Sequence, residues 1–139
     1  MGRSSLVRVA WTLALAGSLG VGIWAFFSPR GFYESLATYP PYNPHLLRDI
    51  GAFNFGIGMT LLAALRFRDA LLVALTGAAG AAVAHVLSHL IDRGEGGRAT
   101  DPYVLALFAV LLVASAVVRS REIRARSWMR GSGSGLIKG

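Results

Sequence analysis

Long apolar stretches alternate with short polar segments along this chain. Four stretches are long and apolar enough to cross a bilayer as helices, at about residues 6–27, 46–65, 70–91 and 103–118. A transmembrane helix needs roughly 20 apolar residues to cross a hydrocarbon core about 30 Å thick. The pattern therefore predicts an all-α integral membrane protein, folded as a bundle of four transmembrane helices.

Three capping residues followed by proline predict where helices begin: Ser28–Pro29, Asn43–Pro44 and Asp101–Pro102. Ser, Asn and Asp side chains accept hydrogen bonds from the first helical amides, and proline suits the first helical position. The second and third pairs open spans two and four, and the first opens a short interfacial helix, "PRGFYESL". Only "RFRD" separates spans two and three, which predicts a tight antiparallel hairpin.

The polar segments on one side of the predicted bundle differ in character. The segment between spans one and two, "SPRGFYESLATYPPYNPHLLRD", is rich in aromatic residues and proline, which predicts an ordered cap over the mouth of the bundle. The glycine-rich "GEGGR" at 94–98 follows a helix, so it is a poor phosphate loop and is expected to be a flexible outer turn.

The domain organisation is simple. Residues 1–130 are expected to form a single four-helix membrane domain, and "GSGSGLIKG" at 131–139 is expected to be a flexible tail or a linker left by cloning. The first apolar run is longer than the core of a signal peptide, and no small-x-small site follows it, so it is interpreted as a retained span.

Composition supports the membrane class. Hydrophobic residues make up 54% of the chain and charged residues only 15%, whereas a soluble domain carries about 25% charged residues. Mean hydropathy is +0.53. The chain has no cysteine, which excludes disulfides, thiolate catalysis and cysteine-ligated metal sites.

Basic residues concentrate on one side of the predicted bundle. Six of the fourteen follow the last apolar run: Arg119, Arg121, Arg124, Arg126, Arg130 and Lys138. The two loops on the opposite side carry four basic and five acidic residues, a net charge of −1. The positive-inside rule then predicts a multi-pass protein of the cytoplasmic (inner) membrane with both termini cytoplasmic. The basic tail that contributes to the net charge of +7 marks the cytoplasmic side and suits contact with anionic lipid headgroups. Nucleic acid is therefore not an expected partner.

The three histidines are predicted to lie at the same, outward depth. His45 is in the first turn of span two, and His85 and His89 are in the last turns of span three. The latter two share a helical face with small residues such as Ala74 and Ala78, and small residues mark helix–helix contacts in membranes. Both imidazoles are therefore expected to point into the bundle.

A matching pair occurs on span two. His45 and Asp49 are four residues apart and share a face with Ala52 and Gly56, which again predicts a packing seam. The predicted hairpin would turn the two seams toward each other. Helical bundles commonly hold divalent metals with such paired ligands from adjacent helices.

The sequence thus predicts one metal site with four ligands: His45, Asp49, His85 and His89. Imidazole and carboxylate ligands suit zinc, iron, copper or manganese. Asp92 and Glu34 are candidates for additional or supporting ligands. Haem is less favoured, because both members of an i, i+4 pair cannot be opposite axial ligands of one haem.

Other interpretations of the histidines remain open. Near an interface, histidine also hydrogen-bonds between helices or to water with no metal bound, and His45 after proline is typical of a wet interfacial residue. A zinc peptidase of the H-E-x-x-H type is not expected, because that motif requires glutamate directly after the first histidine and this position is Val86.

The run "PRGFYESLATYPPYNPHLLRDIGAFNFGIGMTLLAAL" followed by "HVLSHLID" resembles a set of small four-helix membrane proteins of actinobacteria that are loosely DoxX-like. The matching features are Pro29, Phe32 and Tyr33, the stretch from Tyr42 to Phe53, and the H-x-x-x-H of span three. The resemblance covers roughly residues 6–118. It implies a four-helix membrane bundle and assigns no reaction.

The function expected from these observations is a metal- or cofactor-binding small membrane protein, an accessory subunit of a membrane oxidoreductase complex. Two alternatives remain: a structural or assembly subunit with no bound metal, or a small membrane enzyme acting on lipid or quinone with histidine as acid and base. The expected partners are the lipid bilayer and either another membrane protein or a second copy of the chain. Whether the protein is an enzyme is open.

Overall fold

The computed structural model describes residues 3–67 and 70–133, with side chains described for residues 5–67 and 70–128. The described chain is all-α and contains five helices: α1 (Arg3–Phe27), α2 (Pro29–Ser35), α3 (Pro44–Ala63), α4 (Ala70–Ile91) and α5 (Asp101–Gly133). Four of them, all except α2, are long and apolar enough to cross a membrane. This confirms the predicted helical membrane bundle, with a short helix between the first two spans.

The helix boundaries follow the predicted capping residues. The Asn43 side chain accepts hydrogen bonds from the amides of His45 and Leu46, both at 3.1 Å, and so caps α3. Helix α2 begins at Pro29, although the Ser28 side chain makes no capping bond. Helix α5 continues to Gly133, into the segment predicted to be a tail, and residues 134–139 lie outside the described residues.

The predicted hairpin of spans two and three has its short connection, but the two helices are not each other's main packing partners. Helix α3 packs along α1 and helix α4 packs along α5, while α3 and α4 make few contacts with each other. The reason is the close approach that glycine allows between α1 and α3. A Cβ on Gly51 would lie only 2.7 Å from the Phe26 amide nitrogen and 2.9 Å from the Gly22 carbonyl oxygen. The short connection sets the chain direction of α4 but does not choose its packing partner.

Two apolar clusters hold the bundle together. The larger joins all four long helices near the α3–α4 connection and consists of Val7, Ala10, Ala14, Leu61, Ala64, Ala74, Leu75, Ala78, Ala79 and Leu112. The smaller joins α1, α2 and α3 at the opposite end, through Ala25, Phe32 and Leu47. Residues 83–91 of α4 and 101–107 of α5 belong to neither cluster, so there the α4–α5 pair has no apolar core in common with α1 and α3.

We call the end of the bundle that carries α2 and residues 36–43 and 92–100 the cap end. The opposite end, which carries the α3–α4 connection and the end of α5, is the tail end. All three histidines lie at the cap end, because α3 begins there and α4 ends there. The segment between α1 and α3 packs onto both helices through Phe32 and Tyr42, in agreement with the predicted ordered cap.

Candidate functional site

The four predicted metal ligands lie in two pairs at the cap end. His45 Nε2 is 3.5 Å from an Asp49 carboxylate oxygen, and both side chains are exposed to solvent. His85 Nε2 is 3.2 Å from His89 Nε2. Within residues 5–67 and 70–128, no group of three or more His, Asp or Glu side chains is placed to hold a metal ion. The two pairs therefore do not merge into the single four-ligand site that was expected, because α3 and α4 make few contacts with each other.

The His85–His89 pair lies at the edge of α4 rather than inside the bundle. His89 is half-buried, but His85 is exposed, so the expectation that both imidazoles point into the bundle is wrong for His85. The last buried residue of α4 is Ala79, and His85 lies beyond it toward the end of the helix.

Tyr39 extends the histidine pair into a chain of three side chains. Its hydroxyl oxygen lies 2.9 Å from His89 Nδ1, and its ring meets the imidazole edge-to-face with centroids 5.7 Å apart. Two proton arrangements satisfy both contacts. Either Tyr39 donates to Nδ1 while His89 Nε2–H donates to His85, or every bond runs in the opposite direction. We call these three residues the Tyr–His–His chain.

Two facing loops hold Tyr39 in place, and we call them the clasp: residues 35–39 and 96–101. The Gly97 amide donates to the Thr38 carbonyl at 3.2 Å, and the Arg98 guanidinium donates to the Ser35 carbonyl at 2.6 Å. The Arg98 amide in turn donates to an Asp101 carboxylate oxygen at 2.8 Å, which ties the loop to the first turn of α5. The clasp thus joins the α1–α3 side of the bundle to the α4–α5 side.

The glycines of "GEGGR" form the seat of the Tyr39 side chain. Gly97 has φ of +75°, and a Cβ there would overlap the Tyr39 hydroxyl group. Gly96 has φ of +139°, and a Cβ there would lie 2.7 Å from the Thr38 carbonyl oxygen. Only glycine combines positive φ with so close an approach. The segment predicted to be a flexible turn is therefore a specific docking surface.

Burial and two nearby carboxylates act on the phenol of Tyr39. Partial burial raises the pKa of the Tyr39 phenol above its usual value of 10, and the carboxylates of Asp101 and Asp92 raise it further. The two carboxylates thus act on the hydroxyl that contacts His89.

A cleft of about 310 Å³ opens beside Tyr39 and His89. It is lined by both loops of the clasp, the end of α4 with the residues that follow it, and the start of α5: Tyr39, His89, Arg93, Gly96, Gly97, Arg98, Ala99, Pro102 and Tyr103. The cleft is the place where a small molecule could reach the Tyr–His–His chain from the cap end.

The two candidate supporting ligands do not join the histidine pair. Glu34 forms an exposed ion pair with Arg30 one turn earlier in α2, at 3.1 Å. The Asp92 carboxylate acts on Tyr39 through its charge, but it belongs to no metal-binding group in the described part of the chain. Sequence reasoning missed Tyr39, Arg98 and Asp101. The only advance signal was the unusual combination of aromatic residues and glycines in the two cap-end loops.

No protein-family model, no curated protein and no solved structure matches this chain. The likeness to DoxX-like proteins stays a prediction from sequence.

Proposed function

We propose that this protein is a membrane protein that binds a transition-metal cation at its cap end, with His85 and His89 as ligands. The observation that carries the proposal is the distance of 3.2 Å between the two Nε2 atoms. Nitrogens that lie about 2.0–2.1 Å from a tetrahedral zinc ion stand about 3.3 Å from each other. The two rings are tilted by 49° to each other, and a shared ion would replace the hydrogen bond between their Nε2 atoms.

Tyr39 supports this arrangement by orienting His89. A histidine that ligates through one ring nitrogen usually donates the other N–H to an oxygen acceptor, which fixes its tautomer and ring orientation. His89 has such an oxygen at 2.9 Å from Nδ1, the hydroxyl of Tyr39. With a metal on Nε2, His89 donates its Nδ1–H to Tyr39.

The carboxylates near the Tyr–His–His chain favour a bound cation. The Asp101 and Asp92 carboxylates raise the pKa of the Tyr39 phenol, so their negative charge acts close to His89. Neutral imidazole ligands without thiolates suit zinc, iron or copper. The proposed bound species is therefore a divalent ion of zinc, iron or copper.

Two histidines leave at least two positions of a tetrahedral ion for other ligands. In the described part of the chain no third His, Asp or Glu joins the pair, so these positions fall to water, a small molecule or a partner protein. An incomplete site of this kind suits an accessory subunit that completes its coordination against a larger membrane complex. We also propose that the cap end faces outward and that both termini lie in the cytoplasm. The distribution of basic residues supports this orientation.

A titration of the detergent-purified chain with Co²⁺ tests the site directly, because tetrahedral Co²⁺ absorbs visible light. We expect saturable binding of one equivalent, abolished in the His85→Ala/His89→Ala double variant. The matched control is His45→Ala/Asp49→Ala, which removes the other i, i+4 pair at the same end and leaves binding unchanged. Binding that is absent in the parent chain, or lost equally in both variants, contradicts the proposal.

A purely structural role is the second candidate, and one observation favours it. The Tyr–His–His chain is a complete set of hydrogen bonds without any ion, and it ties the segment before α3 to the end of α4. In that case the His85→Ala/His89→Ala variant loses thermal stability in the presence of a chelator as well as in its absence, and the parent chain takes up no metal.

A further inference from the structure

The cleft beside the clasp has a feature that metal binding does not use. Two of its lining residues are arginines, Arg93 and Arg98, and none is a carboxylate. Arg98 is committed to the clasp through its bond to the Ser35 carbonyl. Arg93 is exposed, and within residues 5–67 and 70–128 it forms no ion pair or hydrogen bond. One cationic side chain at the cleft is therefore available for an anionic ligand.

The mouth of the cleft continues into an apolar surface. Tyr103 lines the cleft, and Leu107 lies one turn further along the same face of α5, with both side chains more than 70% exposed. Val104 beside them and Ile91 at the end of α4 are also exposed apolar residues. The helices that carry these side chains are candidate membrane spans, so this surface faces lipid chains. The cleft thus lies where the polar loops meet the bilayer, at the depth of the headgroups.

We propose that this cleft binds the headgroup of an anionic phospholipid. Arg93 pairs with the phosphate, and an acyl chain lies along Tyr103 and Leu107. Its volume of about 310 Å³ is at the lower end of the range of about 300–1,000 Å³ for ligand pockets, which suits a headgroup rather than a whole lipid. Charge complementarity at Arg93 and continuity with the apolar face of α5 distinguish a lipid from a soluble phosphate.

The neighbouring carboxylates restrict where the phosphate lies. Asp101 and Asp92 act on the Tyr39 side of the cleft, and one Asp101 oxygen accepts the Arg98 amide. We therefore assign the phosphate to Arg93, the cleft arginine that is not committed to the clasp. His89 lines the same cleft, but the lipid proposal does not rest on metal binding.

Native mass spectrometry of the detergent-purified full chain tests this proposal. The probes are phosphatidylglycerol, phosphatidylcholine with the same acyl chains, and free glycerol phosphate. We expect phosphatidylglycerol to be retained in preference to phosphatidylcholine, and glycerol phosphate not to be retained. Arg93→Gln lowers the affinity for phosphatidylglycerol about tenfold, the effect of one charge-assisted contact of about 1.4 kcal/mol.

The control is Arg30→Gln, which removes a cap-end arginine that is already paired with Glu34 and does not line the cleft. It should leave retention unchanged. Leu107→Ala shortens the apolar track without changing charge and should weaken phosphatidylglycerol binding, which keeps the test valid if Arg93→Gln folds poorly. Equal retention of the two lipids, equal loss in the Arg30 and Arg93 variants, or binding of glycerol phosphate as strong as that of the lipid overturns the proposal.

Discussion

The hydroxyl oxygen of Tyr39 lies 2.9 Å from Nδ1 of His89, a residue 50 positions away in the sequence. This contact joins the loop before α3 to the end of α4, in a region where the α1–α3 and α4–α5 pairs do not share an apolar core. Because His89 in turn touches His85, the position of the loop and the geometry of the histidine pair depend on each other.

Replacing Tyr39 by phenylalanine removes one hydrogen bond and keeps the ring. We expect a loss of about 0.5–1.5 kcal/mol in the free energy of unfolding, the usual net contribution of one such bond. Denaturant or thermal unfolding in detergent measures the effect. The matched control is Tyr33→Phe, since Tyr33 packs edge-to-face on Tyr42 and its hydroxyl makes no hydrogen bond to the residues that the structure describes. An equal loss in the two variants would show that the Tyr39–His89 bond contributes nothing.

The raised pKa of Tyr39 predicts a loss of stability at alkaline pH. The phenolate is the charged form, and burial together with Asp101 and Asp92 disfavours it in the folded state. The folded chain therefore keeps this proton to higher pH than the unfolded chain. The contribution is fully present below pH 10 and is lost as pH rises through the folded pKa.

Absorbance at 295 nm, which follows tyrosinate, measures this titration. Tyr39→Phe should remove a late-titrating component, and Asp101→Asn should move that component to lower pH. A Tyr39 that titrates at its ordinary value in the parent chain would contradict the negative field at the clasp.

Gly97→Ala should open the clasp. The backbone at Gly97 has φ of +75°, where an L-residue costs about 1–2 kcal/mol, and the new Cβ would overlap the Tyr39 hydroxyl. We expect a lower melting temperature than in the parent chain. Gly94→Ala is the control in the same loop, because a Cβ there meets nothing within 4 Å and Gly94 is not among the glycines of positive φ. A Gly97 variant as stable as the Gly94 variant would argue against the docked position of Tyr39.

Gly51→Ala should weaken the α1–α3 contact. The added methyl group would meet the Phe26 amide and the Gly22 carbonyl, both backbone atoms that cannot move without shifting α1. Overpacking of this kind typically costs about 1–3 kcal/mol. Gly56→Ala on the same helix points into open space and should be neutral or slightly stabilising, since alanine is the better helix former. Unfolding of both variants in the same detergent separates the two cases.

The sequence was sufficient to predict the helices but not how they pair. The lengths of the apolar runs and the residues before Pro29, Pro44 and Pro102 predict to within a few residues where the helices begin, because bilayer thickness and capping chemistry are local constraints. The end of α5 is the exception, since this helix continues to Gly133, well past the predicted end of span four at residue 118. The choice between α1 and α4 as the neighbour of α3 depends on which glycine faces meet. A Cβ added at Gly51 would meet backbone atoms of α1, whereas a Cβ added at Gly77 or Gly80 of α4 would meet nothing within 4 Å. Sequence spacing does not distinguish these glycines.

The candidate site was predicted in part for the same reason. The pair His85–His89 follows from helical spacing alone, since residues four apart lie on one face. Its union with His45 and Asp49 required α3 to pack on α4, which the fold does not provide. The contribution of Tyr39 depends on two loops far apart in sequence that meet through Gly96 and Gly97, and no local pattern specifies such a contact.

Elemental analysis of the purified chain shows directly whether His85 and His89 hold a transition-metal ion. Inductively coupled plasma mass spectrometry should be run on the detergent-purified parent chain and on the His85→Ala/His89→Ala variant, each as isolated and after loading with Zn²⁺ and removal of excess. We expect close to one equivalent of zinc, iron or copper in the parent chain and none in the variant. A parent chain that remains metal-free even after loading would contradict it and leave the Tyr–His–His chain as a hydrogen-bonded fastening between the two halves of the bundle.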